Sequence, residues 1–238
     1  MTKLFSVIVV FMSMFFSCSL YAGDAQIFAQ ANRLYTQKHF AQALALYKTI
    51  AQKDAATWYN MGNSAFMSAD YAQARVYWRR VERNATAWSL LNDVAHNLKN
   101  LDRIQGIEKQ ESSLAFLRRV VSTMPVRTLQ FLFLFLWIML VLAFVRVRCV
   151  RNLRIPLCVC IVAVAMMVTI RYTTTSRHVA VVMEKEATLF AGPDENYHVL
   201  AQLAQAREIT LEDIDEHWCK VAYEQGVGWV KREAITIV

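Results

Sequence analysis

Trp218-Cys219-Lys220-Val221-Ala222-Tyr223-Glu224-Gln225-Gly226-Val227-Gly228-Trp229-Val230-Lys231 reads as two β-rich runs joined by a short turn. β-Branched and aromatic residues fill the runs, and Glu224-Gln225-Gly226 supplies the turn signal. Gly226 and Gly228 permit a tight hairpin, and Trp218 and Trp229 are expected to cover a small core. The same pattern extends outward in both directions. Val179–Met183, Ala187–Phe190, Val199–Leu203, Ile209–Ile214 and Ala234–Val238 are further β-rich runs, with Gly192-Pro193-Asp194-Glu195-Asn196 and Asp213-Ile214-Asp215-Glu216 as turns. About 60 residues of this kind predict a small all-β barrel over 178–238. This segment carries five Lys/Arg and eleven Asp/Glu, which disfavours anionic polymers as partners at long range.

With Leu189-Phe190-Ala191-Gly192-Pro193 upstream of the double-tryptophan hairpin, the segment resembles a bacterial SH3 domain. The family often has an Arg before the Gly-Pro, where this chain has Ala191. The resemblance implies binding of cell-wall peptides or of other proteins. It places the candidate face at Trp218, Trp229 and Tyr223.

Residues 23–120 have a different, helical period. Trp58, Met61, Gly62, Phe66, Tyr71, Ala74 and Trp78 form one spaced set. Ala31, Tyr35, Phe40, Ala43 and Tyr47 repeat it 31 residues earlier, with Phe40, Ala43 and Tyr47 spaced like Tyr71, Ala74 and Trp78. Small residues sit where helices would cross, and Tyr71 and Trp78 fill the groove between them. Trp88, Leu91, Asn92 and Ala95 look like the first helix of a degenerate third unit, and 97–120 reads as a capping helix. The pattern resembles the tetratricopeptide repeat, a helical-hairpin stack that needs about three units to bury a core. The resemblance implies a concave peptide-binding groove lined by Phe28, Asn32, Tyr35, Tyr59, Asn63 and Phe66. A side-chain amide such as Asn32 or Asn63 can hydrogen-bond a partner's backbone as donor and acceptor, and it can equally serve its own helices. The basic residues of the family's carboxylate-clamp subtype are missing, so binding of a C-terminal carboxylate is not expected.

Three apolar blocks account for a mean hydropathy of +0.25 and a hydrophobic content of 56%. Residues 1–22 read as a signal peptide: Lys3, an apolar run from Leu4 to Phe16, then a small, polar stretch ending in Ala22. A lipid-modified Cys18 and an uncleaved anchor are the alternatives. Residues 129–145 and 155–170 are uncharged runs, expected here as a two-helix transmembrane hairpin. Between them, 146–154 holds Arg146, Arg148, Arg151 and Arg154, and the positive-inside rule makes that loop cytoplasmic. The protein is therefore expected in a bacterial inner membrane, with both soluble parts periplasmic. Only Cys219 would then face the oxidising side, which leaves no disulfide framework there.

The net charge of +7 is no nucleic-acid footprint. Residues 121–177 alone carry seven Arg and no acid, which is a topology signal, and no basic stripe interleaved with stacking aromatics occurs. Phosphate-cradling glycine motifs and a nucleophile elbow are absent from the sequence. His39, His96, His178, His198 and His217 are scattered; His217 and Cys219 alone do not make a metal site. Neither cofactor nor metal is expected, and no enzymatic activity. A Cys–His hydrolase is the enzyme reading weighed, and Cys219 reads better as a core or edge thiol.

The order of parts, from signal peptide through repeats and paired apolar helices to a C-terminal SH3-like domain, resembles the BatE-type proteins of bacterial aerotolerance operons. The resemblance implies a non-enzymatic membrane scaffold, with von Willebrand A-type membrane proteins and a MoxR-type ATPase as associates. The alternative is a cell-wall anchor whose SH3-like domain holds peptidoglycan peptides.

Overall fold

The computed structural model describes residues 23–85, 87–107, 120–121, 123–124, 126–145, 151–175, 178–223 and 226–238. The expected signal peptide, residues 108–119 of the expected capping helix and residues 146–150 of the expected loop lie outside them.

Among the described residues, seven helices precede one antiparallel sheet. Helix α1 spans 23–36. It is followed by α2 (Phe40–Thr49), α3 (Ala55–Met67), α4 (Tyr71–Asn84) and α5 (Trp88–Ile104). Asp54 and Asp70 cap α3 and α4, accepting the backbone N–H groups of Thr57 and Gln73 three residues on. Turns between helices repeat with the sequence: Lys38 and Ala69, 31 residues apart, both take positive φ, at 65° and 59°. Each turn closes with the same bonds, Lys38 N–H to Tyr35 and His39 N–H to Leu34 in one, Ala69 N–H to Phe66 and Asp70 N–H to Ala65 in the other.

The core of these helices repeats too, with one compensated difference. Ala43 and Ala74 are fully buried at the equivalent crossings. Ala31 and Tyr47 in the first unit become Gly62 and Trp78 in the second, all of them buried. A Cβ on Gly62 would stand 2.5 Å from the Trp78 ring. The larger indole is thus accommodated by removing a methyl from the facing helix.

Helices α6 (Val126–Val145) and α7 (Arg151–Thr175) pack against each other. Leu129, Ile161 and Val164 are buried, while Phe131, Phe135, Ile155 and Met166 are exposed. Among the described residues no helix is long and apolar enough to cross a membrane. The expected runs were already shorter than the ~20 residues a span needs, and the structure adds no apolar turn to them. Helix α6 opens with Arg127, Thr128 and Gln130 in its first turns, while α7 carries Pro156 near its start. The expected architecture, a membrane protein with tetratricopeptide-type repeats, a two-helix transmembrane hairpin and a barrel, is corrected to seven helices among the described residues, followed by a C-terminal antiparallel sheet.

That sheet has seven strands: β1 (Val179–Val182), β2 (Glu186–Phe190), β3 (Val199–Ala204), β4 (Glu208–Ile214), β5 (Trp218–Tyr223), β6 (Gly226–Lys231) and β7 (Ile235–Ile237). Their order is β3-β2-β6-β5-β4-β1-β7, every pair antiparallel. The strands fall within two residues of the runs read from the sequence, and the SH3-like domain fits. Alternation puts Ala180, Val182, Ala187, Leu189, Leu203, Ile209, Leu211, Cys219, Val221 and Val230 into its core. Gly226 takes φ +143° at the hairpin end. Gly228 has a different reason from the turn: a Cβ there would lie 2.6 Å from Leu189, so its absence lets β6 close over the core.

Gly62→Ala is expected to lower the stability of the helical part by about 1–3 kcal/mol, the usual cost of overpacking. Adding Trp78→Tyr, which recreates the Ala31/Tyr47 pairing, is expected to recover most of that loss. Urea midpoints of both variants and of Trp78→Tyr alone check the compensation.

Candidate functional site

Strands β5 and β6 turn Cys219, Val221, Gly228 and Val230 inward, so Trp218, Lys220, Trp229 and Lys231 point outward. Antiparallel register sets Trp218 opposite Lys231 and Trp229 opposite Lys220. Phe190 at the end of β2 pairs in register with Trp229. Its ring meets that of Trp218 edge-on, with centroids 5.5 Å apart. Three aromatics from three strands therefore share one outer face. The expectation that Trp218 and Trp229 cover the core is corrected: both are half-buried on the opposite side of their strands, and aliphatic residues with Cys219 fill the interior.

Beside this face lies a cavity of about 290 Å³ lined by Glu184, Thr188, Phe190, Glu195, Lys231 and Glu233. It sits between the β1–β2 turn, strand β2, the Gly192-Pro193 loop and the 3-10 turn Arg232–Ala234. Lys231 pairs with Glu195, whose hydrogen bond and charge raise the lysine pKa. Three carboxylates against one ammonium leave the lining net acidic. Tyr197 lies over Gly192 on the same loop, its ring 2.7 Å from where a Cβ would stand, and is half exposed.

Tyr223 does not join Trp218 and Trp229. It sits at an inward position of β5 and packs on the barrel core. Phe190 takes the third aromatic place. Its signal was present in the sequence, as the last residue of an alternating run just before the Gly-Pro turn, but only register shows that β2 ends against β6.

In the helices, the structure gives the groove candidates internal partners. Asn32 Oδ1 accepts from the Tyr47 hydroxyl at 2.5 Å and from Asn60 Nδ2 at 3.0 Å. One unit later Asn63 Oδ1 accepts from Trp78 Nε1 at 3.1 Å and from Asn97 Nδ2 at 3.1 Å. The recurrence of Asn thus follows the recurrence of a buried aromatic donor fifteen residues on. Phe28 packs on Tyr47, Tyr35 on Phe40, and Phe66 on Tyr71 and Trp78. Burial, and Tyr59 beside it, raise the Tyr35 hydroxyl pKa; burial pushes Tyr47 up to about 12. All six candidates are half-buried in the seam between helices.

The lone thiol of the barrel is inert by position. Cys219 is fully buried, and burial raises its pKa although Arg232 opposes the shift. His217 lies outside β5 and is exposed, so the two do not share a strand face. Among the described residues no group of three or more His, Cys, Asp or Glu could hold a metal ion.

A profile of the bacterial SH3 domain matches residues 183–236. No curated protein and no solved structure matches the chain.

Asn63→Ala is expected to cost about 1–3 kcal/mol, because it leaves the buried Trp78 N–H without an acceptor; an unchanged urea midpoint would refute the bond. Cys219 is expected to resist a thiol reagent in the folded chain and to label fully in denaturant, read by mass spectrometry of the intact protein.

Proposed function

We propose that this chain is a non-enzymatic binding protein whose SH3-like domain captures a protein or a wall peptide on the face formed by Phe190, Trp218 and Trp229. The observation that carries the reading is this face itself. Three large aromatics are turned away from the core, on a domain of a family that often mediates protein or peptidoglycan binding. Phe190 is buried there and Trp218 and Trp229 are half-buried beside it, and large aromatics of this kind carry much of the binding energy of interfaces. The acidic cavity beside them supports a ligand segment that brings an ammonium or guanidinium group.

The finer reading follows the BatE-type resemblance. In it the protein is a scaffold in the bacterial periplasm, and the partners are von Willebrand A-type membrane proteins in a complex linked to aerotolerance or envelope stress. The second reading is a wall anchor. The acidic cavity supports it as well, because stem peptides of the wall bring free amines as well as carboxylates.

Crosslinking the tagged chain in native envelopes, followed by mass spectrometry, separates the two. Recovery of a von Willebrand A-type protein, lost roughly tenfold or more in Trp229→Ala, is the scaffold outcome. Cosedimentation of the full chain with purified sacci, lost in the same variant, is the anchor outcome. Capture of either ligand unchanged by both Trp218→Ala and Trp229→Ala would refute the aromatic face.

A further inference from the structure

The SH3-like barrel has a second side, away from Phe190, Trp218 and Trp229, and that side is occupied. Strand β1 is Val-Ala-Val-Val, with no polar alternation. A strand of this kind is buried on both faces. Ala180 and Val182 enter the barrel core, whereas Val181 belongs to the helical core, with Val179 and Met183 packed against it. Ala206, in the β3–β4 turn, and the C-terminal Val238 join the same helical core.

Charge closes this seam. Arg75 of α4 is completely buried. Its guanidinium donates to Asp102 of α5 at 2.5 Å, to Gln105 at 3.1 Å and, across the seam, to Glu208 of β4 at 3.2 Å. Arg79, one helical turn on, holds Glu208 through Nε at 2.6 Å and Nη2 at 2.8 Å, and it also pairs with Glu82. Burial by itself opposes that charge, yet Glu82 and Glu208 together hold the Arg79 pKa well above its ordinary value. Gln105 Nε2 adds a bond to the carbonyl of Gln205 at 2.9 Å. The seam joins residues about 130 positions apart in the chain, with α6 and α7 lying between them in sequence.

We infer that the partner of the β1/β4 side of the barrel is the chain's own α4–α5 pair, and that helices and barrel open only together. The family match begins at Met183 and ends at Thr236. Strand β1 and Val238, two of the seam's main apolar contributors, lie outside it. In this protein the domain is therefore not a reader swinging on a tether; it is fixed, with its aromatic face turned away from the seam. Separation would expose Val179, Val181 and Met183 to water. It would also leave Glu208 without either arginine and Arg75 with only its helical partners, and a buried charge stripped of one partner is strongly destabilising.

Hydrogen exchange of the full-length chain, read by mass spectrometry, tests this without any ligand, so its failure leaves the binding reading untouched. In Glu208→Gln, a change confined to the barrel, exchange is expected to rise roughly tenfold or more in α4 as well as in β1 and β4. A rise confined to strand peptides overturns the inference. Gln105→Ala is the milder variant from the helical side, for use if the first fails to fold. Its effect is expected to appear in β1 and β4, and an effect restricted to α5 overturns the inference equally. Lys220→Ala, which removes the outer-face pair with Glu212, is expected to leave α4 unchanged.

Discussion

A single guanidinium organises the meeting of the two halves of this protein. Arg75 has no contact with water and draws its compensation from Asp102 on the helical side and Glu208 on the strand side. Its Nε is buried without a hydrogen-bond partner among the described residues. A charge in that position tolerates no sliding, because losing either carboxylate leaves it short of the bonds that offset its desolvation. Apolar contacts between β1 and the helices are non-directional and would accept several orientations. The arginine selects one. That choice also decides which face of the barrel stays open.

The helical part shows how a repeat keeps its geometry while its residues change. Between the two units the turn conformation, the crossing alanines and the Asn-to-aromatic bond are retained. The aromatic itself changes from Tyr47 to Trp78, and Ala31 becomes Gly62. Size is exchanged across one contact and the donor is preserved, hydroxyl for indole N–H. Such paired changes mark a packing constraint and not a ligand constraint. This is why Asn32 and Asn63, read by recurrence alone, serve the interior with their carbonyl oxygens.

On the barrel, function and stability occupy alternate positions of the same strands. Cys219 and Val221 hold the core; Trp218 and Lys220 face out. The interior is small enough that aliphatic residues and a thiol fill it, so the tryptophans are not needed as a roof. Large aromatics kept on the outside of a small domain, next to an acidic cavity, represent apolar surface that core packing does not account for.

The strands, their order of appearance and a 31-residue recurrence in the helices were legible in the sequence. They rest on short-range physics: period-two alternation, the 3.6-residue period, and turn residues such as Gly226 and Asp70 that act within a few positions. Tertiary structure decided the rest. It placed Phe190 beside Trp218 and Tyr223 inside, because register is a relation between strands. It assigned Asn63 to Trp78 and Asn97, because a hydrogen-bond partner is chosen by helix packing. Among the described residues it gave neither apolar helix the length and apolarity of a span, because crossing a bilayer needs a continuous length that counting apolar residues in short runs does not supply. And it brought Arg75 to Glu208 across more than a hundred residues, because charges so far apart in the chain meet only when two complete cores have formed and found each other.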